Sequence, residues 1–289
     1  MRNEKEMLDL ILEVARKDEA IRAVAMNGSR VNSNAPRDPF QDFDIIYFVT
    51  DMARFISNLE WIKQFGELMI LQMPETMLNP PPSFEDGFAY LMQFADGNRI
   101  DLNVLPLAKL GRVYSDSLTI LLLDKDDKVK SLPAATDKSY LPAPPSAKAF
   151  SDCCNEFWWV STYVAKALWR GNFFHAKDLM DCMVREQLMK MLDWYFGLKT
   201  NFDVSAGKGR RNFSKYLDEY LMEILKQTYA GIDPEEIWDS LFAMTTLFRK
   251  TGREIANKFK LQYPVEDDKK VTAHLEHVRR LSSDAAEIY

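Results

Sequence analysis

Cysteine and histidine are scarce in this chain of 289 residues, at three each. Cys153, Cys154 and Cys182 fit neither a disulfide framework nor a paired CxxC metal site. His175, His274 and His277 make no metal cluster: the last two share a helix face and lack a third ligand. Long apolar runs are missing as well. Residues 120–123 are typical of the longest, far short of the roughly 20 a membrane helix needs. The opening Met1-Arg2-Asn3-Glu4-Lys5-Glu6 has no apolar core of the kind a signal peptide carries. A cytoplasmic chain with reduced thiols and no membrane partner is expected. Excess positive charge is the last absence: 37 Lys+Arg face 43 Asp+Glu, a net charge of -6. Affinity for nucleic acid comes mainly from cations neutralising phosphates, so no nucleic-acid partner is expected.

What is present is globular. Hydrophobic residues make up 47% and charged residues 28%, and 18 Phe, 11 Tyr and 6 Trp exclude disorder as the main state. Up to Tyr140 there are 16 basic and 22 acidic residues, against 21 and 21 afterwards. The acidic excess of the first half favours cations there, whether metal ions or a polycationic substrate. Segment 132–146 holds Pro133, Pro142, Pro144 and Pro145 and reads as a linker. Domains at 1–140 and 146–289 follow.

Before the linker, helical and strand patterns alternate. Helical spacing covers 6–17 and 52–64; strands are expected at 20–26, 44–50, 67–73, 88–94 and 99–105, the last two joined by an Asp96-Gly97 turn. After it the patterns are helical, at 147–169, 173–196, 235–259 and 269–286. The expected fold is α+β: a small mixed sheet with helices, followed by an α-helical bundle.

Three pieces of the first half carry chemistry. Gly28-Ser29-Arg30 ends a strand, and a Gly-Ser turn leaves backbone N–H groups open to phosphate oxygens. Asp42-Phe43-Asp44 runs into the strand IIYFV, and side chains two apart in a strand share a face. Paired carboxylates repel, which a divalent cation relieves; Mg²⁺ prefers one or two carboxylates plus substrate phosphates. Asp101 sits with Asn103 on the face opposite Ile100, Leu102 and Val104. Its partner is Arg30, Arg99, or a metal shared with Asp42 and Asp44.

That order, GS then DxD then a third Asp, resembles the nucleotidyltransferase superfamily of the DNA polymerase β type. More narrowly, Met26-Asn27-Gly28-Ser29-Arg30-Val31-Asn32 with Gln41-Asp42-Phe43-Asp44-Ile45 looks like the aminoglycoside 6-adenylyltransferases, the streptomycin-modifying enzymes. The stretches around Trp159 to Arg170 and Trp194-Tyr195-Phe196-Gly197 are similar to that family too. The resemblance implies AMP transfer from ATP to an aminoglycoside hydroxyl, with pyrophosphate released. It implies that Asp42 and Asp44 hold Mg²⁺, that Gly28 and Ser29 cradle the triphosphate, and that Arg30 neutralises developing charge. Asp101 would complete the metal site or serve as base.

In the second half Glu156, Trp159, Tyr163 and Lys166 recur at helical spacing, as do Lys177, Asp181 and Arg185. Trp159 and Tyr163 are candidates to stack on the substrate, Asp181 to grip its cationic groups and Lys166 to meet phosphate. A monomer is expected. Competing readings keep the fold with a protein or RNA substrate, or make the chain a catalytically inactive nucleotide-binding partner.

Overall fold

A computed structural model describes residues 1–78, 84 and 87–289. The chain divides into two compact units, Met1–Ser139 and Tyr140–Tyr289.

The first unit is built on six strands: β1 (Ile21–Asn27), β2 (Phe43–Val49), β3 (Leu68–Gln72), β4 (Phe88–Phe94), β5 (Arg99–Pro106) and β6 (Thr119–Asp124). Their order is β3-β4-β5-β2-β1-β6. Every neighbouring pair is antiparallel except β2 with β5, which run parallel. Alternation decides which face each residue meets. Phe43, Ile45 and Tyr47 of β2 and Ile100, Leu102 and Val104 of β5 enter the larger core, shared with Met7, Ile11 and Val14 of helix α1 (Glu4–Lys17). Residues of opposite parity, Ala23, Ala25 and Phe48, join a smaller core with Leu105 and Val113 on the other face.

Helix α1 starts at a capping box in which Asn3 and Glu6 satisfy each other's backbone N–H groups. Buried Tyr47 ties it to the sheet by donating its hydroxyl to the Ile11 carbonyl at 2.6 Å. Burial pushes that hydroxyl's pKa up, so it stays a donor. Tyr90 makes the equivalent bond to the Phe55 carbonyl in α2 (Met52–Ser57), also at 2.6 Å.

The helical reading of 52–64 is corrected here. After Ser57 the backbone extends at Asn58 (φ −136°, ψ 113°), whose side chain caps a new run of tighter 3₁₀ turns, Leu59–Phe65. Asparagine competes for backbone donors in this way and breaks a period that apolar spacing alone would continue. Strand β6 was legible only as an apolar run.

The second unit is helical: α3 (Ala147–Trp169), α4 (Phe173–Asp178), α5 (Arg185–Lys199), α6 (Phe213–Tyr216), α7 (Glu219–Gln227), α8 (Pro234–Phe259) and α9 (Val265–Arg280). Between α4 and α5, Leu179–Val184 forms wider π-helical turns, so the period read over 173–196 is kept with one insertion. The last helix begins at Val265 and ends at Arg280, earlier at both ends than the 269–286 read from charge and apolar spacing. The core of the second unit includes Phe157 of α3 stacked on Phe248 of α8 with ring centroids 3.8 Å apart. No helix among the described residues is long and apolar enough to cross a membrane.

One buried charge is fixed in that unit. Asp268, 1% exposed, accepts from Arg249 Nε and Nη2 at 2.6–2.9 Å and from Tyr263 Oη at 3.0 Å. Asp268→Ala is expected to leave Arg249 short of its partner inside the packing, costing about 3 kcal/mol. Thermal unfolding followed by circular dichroism should show a Tm lowered by roughly 6–12 °C.

Candidate active site

Strand register brings three carboxylates together. Antiparallel pairing sets Asn27, the last residue of β1, opposite Asp44. Parallel pairing sets Asp44 beside Asp101. Asp42 lies two residues before Asp44, on the same face. Each of the three offers a carboxylate oxygen, and these oxygens lie within 4.8 Å of one another. Among the described residues no other group of His, Cys, Asp or Glu side chains meets that condition. All three are half-buried. At such separations each pair of like charges repels by about 1 kcal/mol even at the dielectric constant of water.

Gly28 is shaped to this cluster. Its φ is +79°, in the left-handed region that favours glycine, and a Cβ there would stand 2.0 Å from Asp44 Oδ2. The space beside Asp44 therefore exists only because the side chain is missing. Hard oxygen donors, concentrated negative charge and a cradle that a single methyl would fill together fit a hard divalent cation and its phosphate ligands.

Arg99 supplies a counter-ion. It donates to both oxygens of Asp101, Nε to Oδ1 at 2.7 Å and Nη2 to Oδ2 at 2.8 Å, and its Nε is 3.9 Å from Asp42 Oδ2. The hydrogen bond to Asp101 raises the Arg99 guanidinium above its ordinary pKa. Of the partners open to Asp101 from sequence, the structure selects Arg99 over Arg30.

The structure places Arg30 against the α1 side of the sheet. Its side chain is buried, with the guanidinium carbon 3.7 Å from the Phe43 ring centroid. Phe43 faces the α1 side of the sheet, opposite the carboxylates. Arg30 Nε donates to the Asp42 carbonyl at 3.0 Å and Nη2 to the Gln41 carbonyl at 2.7 Å, while Nη1 is 3.4 Å from Glu4 Oε2. Burial lowers its pKa from the usual arginine value. The guanidinium is thus engaged with the chain leading into β2.

Gln41 was not singled out from sequence. It is buried, and its Nε2 lies 3.3 Å from both the carbonyl and the hydroxyl of Ser29, linking the Gly-Ser turn to the Asp42 turn. The signal available was its place directly before the DxD pair. Next to it, Phe40 is 92% exposed on a turn held by its own N–H to Asp38 Oδ1 at 2.8 Å.

In the second unit Trp159, Tyr163 and Lys166 do share one face of α3. Trp159 Nε1 donates to Tyr163 Oη at 2.8 Å, and Lys166 Nζ lies 4.7 Å from the Tyr163 ring centroid. Tyr163 and Lys166 line a cavity of about 390 Å³ with Trp169, Arg170 and His274. The Asp181 carboxylate is held by Lys177 at 2.5 Å and Arg185 at 3.2 Å on its own helical run. Arg185 in turn donates to the Thr228 carbonyl at 2.5 Å. The i, i+4, i+8 spacing produced an internal ion triad that docks the segment before α8. His274 and His277 gather around Tyr289, the second stacked on its ring at 4.8 Å.

Residues 1–278 match the family described as streptomycin adenylyltransferase. The chain is 43% identical over 270 residues to an aminoglycoside 6-adenylyltransferase of Campylobacter jejuni, covering 93% of each chain. It is 39% identical over 270 residues to one of Bacillus subtilis, covering 93% of this chain and 95% of that one. A crystal structure of an aminoglycoside 6-adenyltransferase from Bacillus subtilis is 34% identical, with a TM-score of 0.47, over 97% of this chain and 100% of that chain. With a match that runs over nearly the whole sequence, and two such relatives above one-third identity, this chain belongs to the streptomycin adenylyltransferase family.

Proposed function

We propose that this protein transfers AMP from ATP to a hydroxyl of an aminoglycoside, streptomycin foremost, and releases pyrophosphate. The observation that carries the reading is the convergence of Asp42, Asp44 and Asp101 beside the side-chain-free turn at Gly28. Membership of the family, and relatives named as aminoglycoside 6-adenylyltransferases, support the same chemistry.

Asp42 and Asp44 are the residues to hold Mg²⁺. When bound, the cation supplies charge neutralisation for an in-line displacement at phosphorus. Gly28 and Ser29 present the turn against which the triphosphate rests. Asp101 is assigned as the base that takes the proton of the attacking hydroxyl, since two carboxylates and the phosphates already satisfy what Mg²⁺ asks of a protein. The acidic surroundings draw a polycationic antibiotic. The second unit is assigned to recognition, with Trp159 and Tyr163 offering aromatic faces to the substrate and Lys166 a cation to the nucleotide.

Incubation with labelled ATP, Mg²⁺ and a panel of aminoglycosides should yield labelled antibiotic and pyrophosphate, streptomycin giving the highest kcat/KM. No product with any member of the panel would end this reading. Asp42→Asn and Asp44→Asn should each lower turnover by roughly 10²–10³, the scale of losing one preorganised electrostatic group. Because each removes like-charge repulsion, the Tm of the apoprotein should hold or rise.

Asp101→Asn separates base from ligand. As a base, Asp101 contributes roughly 10²–10⁴ to turnover, and its loss should abolish the acidic limb of the kcat/KM profile. ATP affinity by calorimetry should be unchanged. Lost nucleotide affinity would make Asp101 a metal ligand instead.

A further inference from the structure

Asp44 and Asp101 are placed by the sheet, but Asp42 is not. It precedes β2, and the first paired residues of that strand are Phe43 with Ile100 and Asp44 with Asn27. Two like charges stand across from it, so its turn needs something to keep it from swinging outward. Arg30 is bound to that turn's backbone, holding the carbonyls of Gln41 and Asp42 with two donors of one rigid guanidinium. The fork is itself fixed from three sides: the Phe43 ring at 3.7 Å, Glu4 of α1 at 3.4 Å, and the single 3₁₀ turn Gly28–Arg30 that carries it. Gln41 closes the loop by reaching back to Ser29.

We propose that Arg30 is a positioning residue, clamping the Gln41–Asp42 backbone from the α1 side of the sheet so that the Asp42 carboxylate stays in the metal-binding cluster. Arg30 belongs to the same Gly-Ser-Arg turn as the phosphate cradle, so one short segment sets both the triphosphate seat and the reach of the first carboxylate. The role rests on the metal reading of Asp42 and Asp44 given above. Lysine is not an equivalent, because a single ammonium lacks the planar fork that spans two carbonyls.

The test uses Mn²⁺ as probe, titrated by electron paramagnetic resonance into the full chain without ATP, for wild type, Arg30→Met, Arg30→Lys and Asp44→Asn. Outer-shell partners of metal ligands typically contribute 10–100-fold to affinity, and Arg30→Met is expected to weaken Mn²⁺ binding by that factor. Arg30→Lys should recover part of the loss. Nucleotide affinity measured with EDTA present should match wild type for both. Arg30→Lys keeps the buried charge, so it carries the test if Arg30→Met does not fold. Wild-type Mn²⁺ affinity in a folded Arg30→Lys and Arg30→Met would overturn the positioning role alone. Loss of metal-free nucleotide binding with Mn²⁺ affinity intact would overturn it in favour of direct phosphate contact. Should wild type bind Mn²⁺ no better than Asp44→Asn, the metal reading itself fails, and the positioning role with it.

Discussion

The parallel pairing of β2 with β5 is the constraint on which the candidate site depends. It sets Asp44 level with Asp101 on one face, while Phe43 with Ile100 and Ile45 with Leu102 lie level on the other. Because side chains alternate, the same register that seals the apolar core under α1 also stacks carboxylate beside carboxylate. A slip of one residue by either strand would drive its acid into the core and its apolar row into water. The cost of like-charge crowding is therefore secured by hydrophobic burial on the reverse of the same strands.

Around that seam each further residue answers a need it creates. Gly28 leaves the room that the Asp44 carboxylate takes beside the β1 turn. Arg99, two residues before Asp101 and on its face, neutralises one of the three charges. Gln41 ties the Gly-Ser turn to the segment entering β2. These contacts are short in sequence or in space and cluster at one end of three neighbouring strands, so the site moves as a piece of the sheet.

Much of this was legible in the sequence. Alternation in RIDLNV places Asp101 away from Ile100 and Leu102, and the β-branched and aromatic run after Asp44 marks β2. Those signals are local. What escaped was set by neighbours far along the chain. Arg30 stands next to a phosphate-binding pattern, yet the side of the sheet it occupies is decided by Phe43, Gln41 and Glu4. Asp181 has the spacing of a helix-surface acid and is held by Lys177 and by Arg185, the latter anchored at Thr228. Half of strand β6 is leucine, which fits a helix as readily as a sheet; only its pairing with β1 decides between them. Helix α7 has a clear apolar face, buried through Leu221, Ile224 and Leu225, but is short enough to be passed over.

The β2–β5 seam also bears on how the site comes into being. On one side lie β1 and β2, antiparallel and 15 residues apart; on the other, β4 and β5 meet across the tight Asp96-Gly97 turn. Each pair closes a short loop. Joining them closes a much longer one, and parallel pairing of distant segments is slow because chain entropy is lost before contacts compensate. Asp101 therefore joins Asp42 and Asp44 only when β5 pairs with β2, and the nascent chain carries no assembled charge cluster until β5 has left the ribosome. Any fluctuation that parts β2 from β5 separates Asp101 from Asp42 and Asp44, so the lifetime of the seam bounds the lifetime of the cluster.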